Sequence, residues 1–449
     1  MSTSTLCWQY SLTRDIASRE DAHGIVLQTS AGQHRVATGG NTHIRDLLVD
    51  ERISEEQLQS VLSAGGDAGS AASILYQLDR LGALDRHLSE SDRQLASCLA
   101  LRAAPSPWPQ CLPEGRLRLS RYTIAHRTGG CLCLENPGQW ANLELHDRAL
   151  SGLLHDLSVG LSAQQIITRM QDLSAQAMQA ILRLFDWCGL LHAAQEPPGA
   201  AHERLFHTRT RAGYTQRFPG RSTTAGPTPF RSDTLDERLE SAPITRLDRP
   251  ARKSCNKATT DYATVISQRR SIREQGKAPI TSGCLAEFLF RTVGEQQGRR
   301  NYPSGGSCYS IKTYVAIRQC RGIRAGLYLY EPFRHELVSI AHPGTSLTRL
   351  LAGAARTADI TIPPQVLLVL ACDFSLVHGR YPELGYALAL KEVGAIYQLA
   401  MSNAAAMELA SCPLGCGDSL LFSELLGVDS QIETSIGELM LGSMPDHRD

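Results

Sequence analysis

No excess of charge of either sign marks this sequence: lysine plus arginine and aspartate plus glutamate come to 45 each. A chain without net charge has no overall attraction for nucleic acid or an anionic membrane, so its partners must be recognised by local sites. Long apolar runs are missing as well. No stretch approaches the roughly 18–20 residues needed to cross a bilayer. Residues 1–14 scatter polar side chains and have no apolar centre, unlike a secretory signal. The expectation is a cytoplasmic protein with no membrane or nucleic-acid partner.

Cysteine is plentiful at thirteen residues, but the spacing that metal sites need is absent. Cys7, Cys98, Cys111, Cys188, Cys255, Cys284, Cys308, Cys320 and Cys372 stand alone. Only Cys131/Cys133 and Cys412/Cys416 lie close together. Neither pair has a second C-x-x-C or histidine half at zinc-site spacing. Without a secretory signal, reduced and partly buried thiols are expected, and no metal.

What is present suggests an α+β chain of several parts; at about 150 residues per domain, 449 residues make two or three. A weak internal repeat occupies the N-terminal part, in His43–Leu88 and Leu150–His192. Each copy opens with an Ile/Leu-x-x-Leu-Leu helix. A second helix follows, headed by a Ser-x-x-Gln capping box, Ser54 with Gln57 and Ser162 with Gln165. Each closes on an apolar-faced helix ended by glycine, Gly82 or Gly189, suited to a left-handed cap. Alternating segments before them, Gly24–Leu27, Leu117–Thr123 and Cys131–Glu135, predict short strands. The reading is two winged-helix-like modules, 1–100 and 101–195. With no arginine in Glu55–Ser63 and one in Gln164–Asp172, they lack the basic footprint of a DNA binder. Residues 196–252, rich in Pro, Gly, Arg, Ser and Thr and carrying Phe206, Tyr214, Phe218 and Phe230, read as a linker or extended arm.

Residues 253–449 form a separate α+β domain. Helix 283–294 has one apolar face, 311–318 and 326–330 read as strands, and the unbroken apolar run 366–372 reads as a central strand. Residues 391–409 predict a buried helix, and 436–442 a last strand. Within this domain Ser267-Gln268-Arg269-Arg270-Ser271-Ile272-Arg273 is the strongest signal. If extended, it turns Arg269, Ser271 and Arg273 to one side, a natural grip for phosphate; a charged helix end is the plainer alternative. Gly305 and Gly306 suit either a tight turn or close approach to a planar ring.

The order of motifs decides between these. After the arginine segment come Tyr302-Pro303-Ser304-Gly305-Gly306-Ser307, then Gly326-Leu327-Tyr328-Leu329-Tyr330, then Gly394-x-x-x-Gln398, then Cys412-Pro413-Leu414-Gly415 and a terminal Leu-Gly-Ser-Met-Pro. Over roughly residues 205–445 this resembles the nitroreductase superfamily, and within it the SagB/McbC/ThcOx-type azoline dehydrogenases of ribosomal peptide biosynthesis, which are cyanobactin-oxidase-like. The resemblance implies a nitroreductase-like domain of antiparallel-rich sheet and helices that binds FMN in a homodimer. Arg269, Arg270, Ser271 and Arg273 would contact FMN's phosphate, ribityl chain and ring edge. Pro303, Ser304, Gly305, Gly306 and Ser307 would lie along the flavin from the partner subunit. Gln398 would sit near the cofactor, and Pro413, Leu414 and Gly415 at the N5 side.

The subfamily's Lys-Tyr pair corresponds here to Arg380-Tyr381, with His378 just before it. Arginine keeps its proton and cannot be the base. Its charge could instead favour a Tyr381 phenolate that takes the substrate proton, with His378 as the other candidate base. Cys308 and Ser310 replace the loop's usual residues, and "EVGAIYQ" lacks the usual histidine, so the chain is a divergent member. The implied activity is FMN-dependent oxidation of thiazoline or oxazoline rings in a precursor peptide to thiazole or oxazole, beside a cyclodehydratase partner. The N-terminal modules would dock the peptide by strand addition or simply pack on the dehydrogenase. The alternatives are an NAD(P)H-dependent nitro or enone reductase and a non-catalytic scaffold.

Overall fold

The unbroken apolar run Val366–Cys372 needs apolar cover on both sides. In the computed structural model, which describes residues 5–14, 16–21, 23–29, 32–38, 43–64, 70–192, 200–210, 239–250, 261–430 and 432–445, it has that cover. The chain divides into two compact units, Met1–Gly220 and Arg221–Asp449.

The first unit contains strands β1 (Leu6–Leu12), β2 (Ala17–Asp21), β3 (Gly24–Thr29) and β4 (Gly32–Val36), then helices α1 (Ile44–Asp50), α2 (Glu55–Ala64) and α3 (Ala71–Arg80). Strands β5 (Leu84–Glu90), β6 (Arg93–Ala100), β7 (Arg116–Leu117), β8 (Ile124–Thr128), β9 (Cys131–Glu135) and β10 (Ala141–Leu145) follow. Helix α4 (Leu150–Val159), strand β11 (Leu161–Ser162) and helices α5 (Ala163–Arg169), α6 (Ala175–Trp187) and α7 (Ala201–Thr210) complete it. Both predicted helix triads are present, and both capping boxes form. Gln57 N donates to Ser54 Oγ and Ser54 N to Gln57 Oε1, and Ser162 and Gln165 make the same exchange. Gly82 (φ 64°) and Gly189 (φ 66°) end the third helices left-handed, where a β-carbon would strain the backbone.

The strands are not partitioned between two modules. They join in one six-stranded sheet, ordered β1-β5-β6-β10-β9-β8, beside a three-stranded sheet of β2, β3 and β4. The seam is the antiparallel β6/β10 pair, which sets Ser97 opposite Glu144. The predicted strand at Leu117–Thr123 shortens to β7, because the backbone beyond it bonds to helix ends. Leu119 N donates to Leu157 O and Ser120 N to Leu190 O. The stretch read as an arm begins as α7, held by Arg209 Nη2 donating to Glu135 Oε2 (2.6 Å) and by Arg204 stacked over Tyr122. Tyr214, Phe218, Phe230 and Cys255 lie outside the described residues.

The second unit contains β12 (Ile244–Arg246), α8 (Tyr262–Gln268), α9 (Ser282–Val293), β13 (Glu295–Gln296), β14 (Arg299–Arg300), β15 (Ile311–Ile317), β16 (Gly326–Glu331) and β17 (Glu336–Ala341). Then come α10 (Thr345–Thr357), β18 (Val366–Asp373), α11 (Phe374–His378), α12 (Gly385–Ala406), β19 (Leu409–Leu414), α13 (Ser419–Leu426) and β20 (Glu433–Ser443). Seven strands form an antiparallel sheet in the order β12-β17-β16-β15-β18-β20-β19, with β18 interior as its composition requires. Alternate residues serve opposite layers. Leu368 and Leu370 meet α9 and α12 through Phe288, Val393 and Ile396. Leu367 and Val369 meet α10 and α13 through Leu350 and Phe422. This is the predicted α+β architecture. Helix α12 starts six residues earlier than the sequence suggested and is not apolar all round. Tyr386, Leu390, Gly394 and Gln398, spaced four apart, form an exposed stripe along it. Among the described residues no helix is long and apolar enough to cross a membrane, and every described cysteine is free.

Candidate active site

Helix α12 is the spine to which the predicted site residues attach, and it holds them in two groups. The first group is the glycine loop with Arg380-Tyr381. A single 3₁₀ turn at Gly305–Ser307 bends the chain, with Gly306 left-handed at φ 59°. Ser304 fixes the turn, its hydroxyl accepting from Tyr309 N (2.8 Å) and donating to Glu392 Oε2 of α12 (2.8 Å). A β-carbon on Gly305 would press on Leu388 at 3.0 Å, and one on Gly306 would meet the Tyr381 hydroxyl at 2.7 Å. Both glycines are thus closely approached by side chains of the same chain, Leu388 and Tyr381. Arg380 Nη1 donates to the Gly306 carbonyl at 2.5 Å, so its charge is directed at the loop. Pro303 and Ser307 lie exposed on the flanks of the turn. His378, the other candidate base, stacks on Phe374 with ring centroids 5.0 Å apart and crowds Gly385. Desolvation by these contacts lowers its pKa.

The second group is the arginine segment with β19. Ile272 N donates to Ser411 O, which pins residues 269–273 alongside that strand. Arg269 Nη1 reaches Met401 Sδ of α12 at 3.9 Å. Burial raises the pKa of the Cys412 thiol, while the nearby Arg273 charge and a hydrogen bond with Ser271 act the other way. Among the described residues, Arg269, Arg270 and Arg273 have no carboxylate partner within ion-pair distance. Guanidiniums without carboxylate partners among the described residues, with Arg269 and Arg273 on the same side of the segment, suit a bound phosphate, which they can grip in bidentate fashion. Pro413 and Leu414 end β19, and Tyr397 of α12 donates to the Leu414 carbonyl at 3.5 Å. Gln398 is exposed on α12, with its amide donating to Ser402. A β-carbon on Gly394 or Gly415 would meet nothing within 4 Å, so a planar group can approach the backbone at both places.

The two groups do not converge within one chain. Ser304 binds α12 at Glu392 and Arg269 binds it at Met401. Nine helical residues at about 1.5 Å each separate these attachment points by about 14 Å along the axis.

Glu392 was not singled out from the sequence. Its signal was a carboxylate, just after Lys391, heading the apolar stretch of a helix expected to be buried. It is 4% exposed, and burial pushes its carboxyl up to about 7 against the opposing effect of the Ser304 hydrogen bond. Its Oε1 is buried without a well-formed hydrogen bond. A buried polar atom left unpaired beside a candidate cofactor loop is costly unless another group completes it.

A Methanocaldococcus jannaschii protein described as a nitroreductase is 30% identical over 153 residues, covering 34% of this chain and 76% of that protein. The chain belongs to the nitroreductase family, whose model matches residues 266–443, and it is therefore an oxidoreductase. A model described as cyanobactin oxidase ThcOx matches residues 117–216. Among solved structures, a nitroreductase-type protein from Ralstonia eutropha aligns with TM-score 0.39 and 22% identity, covering 45% of this chain and 90% of that one. The Escherichia coli microcin synthetase McbBCD complex with truncated pro-MccB17 bound aligns with TM-score 0.36 and 22% identity, covering 56% of this chain and 93% of the aligned chain.

Proposed function

We propose that the protein is an FMN-dependent dehydrogenase that oxidises thiazoline or oxazoline rings in a ribosomally made precursor peptide, working as a homodimer. The observation that carries this reading is the split site: an arginine segment without carboxylate partners among the described residues, attached to one end of α12 through Arg269, and the glycine loop with Arg380-Tyr381 at the other. The match of residues 117–216 to a cyanobactin oxidase model supports a peptide substrate over a free small molecule. The exposed stripe Tyr386, Leu390, Gly394 and Gln398 offers a second copy a face on α12. Such a copy would bring its own loop to the arginines.

FMN fits the residues present. Arg269, Arg270, Ser271 and Arg273 would hold its phosphate and polar edge, and the open space at Gly394 and Gly415 admits the ring. A bound flavin supplies the two-electron acceptor. Turning an azoline into an azole removes one proton and one hydride and leaves an aromatic ring. The chain's own contribution is to position the ring and receive the proton. Tyr381, crowded against Gly306, is the proton acceptor, and Arg380 fixes the loop on which the peptide lies. Ser304 and Glu392 hold that loop from behind. The open sheets of the first unit would dock the peptide's leader by strand addition, next to the cyclodehydratase that makes the azoline.

The visible spectrum of the purified protein, with the released cofactor identified by mass, is the first test. About one FMN per chain, followed by loss of two hydrogens from a synthetic azoline peptide, is expected. A protein that cannot be reconstituted with FMN would sink the enzyme reading and leave a scaffold. Nicotinamide oxidation driven by a nitro or enone compound, with azolines untouched, would favour small-molecule reduction instead.

A further inference from the structure

One face of the six-stranded sheet in the first unit carries a polar seam that the proposed oxidation does not use. Strands β9 and β10 pair antiparallel with Glu144 opposite Cys133 and Leu145 opposite Leu132. Continued by one residue, this register sets His146 opposite Cys131. Residues two apart on a strand share a face, so Cys131, Glu144 and His146 project together. Cys131 Sγ lies 3.0 Å from His146 Nδ1. One ligand atom of each of the three residues lies within 4.8 Å of the others, and all three side chains are half-buried.

We propose that Cys131, Glu144 and His146 form a zinc site, with a fourth position left for water or an exogenous ligand. A thiolate, an imidazole and a carboxylate together select zinc among the common cations. Zinc bonds of about 2.3 Å to sulfur and about 2.0–2.1 Å to nitrogen put tetrahedral ligand atoms roughly 3.3–3.6 Å apart. The Cys131–His146 pair need open by only about half an ångström, while Glu144, with an oxygen 3.9 Å from His146 Nε2, must turn its carboxylate toward the Nδ1 side.

The imidazole is also held as a ligand must be. Its Nε2 lies 2.8 Å from the hydroxyl of the fully buried Ser97. Ser97 lies 2.8 Å from His87 Nδ1, and His87 Nε2 lies 2.9 Å from Ser11 Oγ. Gln94 Nε2 donates to the same Ser97 oxygen. Binding zinc through Nδ1 requires the proton on Nε2. Ser97 can accept that proton while donating its own to His87, which fixes ring orientation and tautomer as second partners of metal-bound histidines do. The ligands come from two adjacent strands and not from a C-x-x-C segment, so spacing along the sequence concealed them.

The test is titration of the chelator-treated full-length protein with Co²⁺. One equivalent is expected to bind with a thiolate-to-cobalt charge-transfer band, displaced on adding Zn²⁺. Cys131→Ser should abolish the band, and the control Cys416→Ser should leave it intact. Glu144→Gln, which keeps side-chain volume, should weaken binding at least about tenfold and stays informative if Cys131→Ser fails to fold. Absence of the band in the wild type, or its persistence at full strength in folded Cys131→Ser, would overturn the site.

Discussion

Each unit buries one carboxyl group that sets it apart, and the two are handled differently. Asp85 on β5, 4% exposed, has an oxygen that accepts both from Thr13 Oγ1 and from Ala100 N at 2.9 Å. Burial still pushes it up to about 6, but one donor lies on the neighbouring strand β6 and the other just past the end of β1. Glu392 on α12 is equally buried and is pushed further, to about 7, with one oxygen held by Ser304 and the other without a well-formed hydrogen bond, though the Ile311 backbone lies close enough to oppose the shift. A satisfied buried carboxyl locks a sheet together. An incompletely satisfied one beside the glycine loop costs stability, and its place beside the proposed site can be tested by substitution.

The largest effect that would sharpen the contrast lies at the loop. Tyr381→Phe should lower azoline turnover by roughly 10²–10⁴-fold while leaving flavin affinity unchanged, as removal of a proton acceptor predicts. Steady-state kinetics and a flavin titration on the same variant read the two quantities separately. A loss confined to flavin binding would make Tyr381 a structural neighbour of Gly306 and nothing more. Mixing folded Tyr381→Phe with folded Arg273→Ala, under conditions that exchange subunits and at an FMN concentration too low to load Arg273→Ala alone, should restore about a quarter of wild-type activity. Only a site built from both copies allows that.

On the other side of the comparison, Asp85→Ala should destabilise the first unit by about 2–4 kcal/mol, because Thr13 and the Ala100 amide lose their buried acceptor. Denaturant unfolding followed through tryptophan fluorescence reports this. Trp8, Trp108, Trp140 and Trp187 form one edge-to-face cluster in that unit. Flavin affinity should not change, and a large change would erase the distinction drawn here. Arg273→Ala should do the reverse. It should weaken FMN binding by roughly 10–100-fold, the worth of a charge-assisted bond or two, and leave the tryptophan transition in place.

Much of this was legible in the residues. The capping boxes, the glycine helix ends and the interior strand 366–373 all rest on local chemistry, which a short window of sequence contains; the crowding of the Gly305-Gly306 turn does not, because it comes from Leu388 and Tyr381. The arginine segment could be seen, but its freedom from carboxylates could not, because that depends on what the fold leaves nearby. Long-range pairing was not legible. Nothing in residues 93–100 or 141–145 shows that β6 and β10 would join two apparent modules into one sheet. The same register places His146 beside Cys131. Glu392 was hidden because a helix position reports burial by period but not which oxygen lacks a donor.

The smallest expected effect tests that last point. A carboxyl whose pKa is raised on folding holds its proton more tightly in the native state than in the unfolded chain. Between about 4.5, the ordinary value, and about 7, the native state therefore binds more protons, so stability falls as pH rises through that window. Glu392→Gln cannot ionise. The variant, stripped of flavin, should match the wild type near pH 4 and exceed it at pH 8 by about 1–2 kcal/mol, somewhat under the full value of the shift because water entry relieves part of the strain. Denaturant unfolding at the two pH values gives the difference directly. A variant less stable than the wild type at pH 8 would mean that the charged carboxylate finds a partner in the native state. Glu392 would then belong with Asp85, as a structural lock and not a site residue.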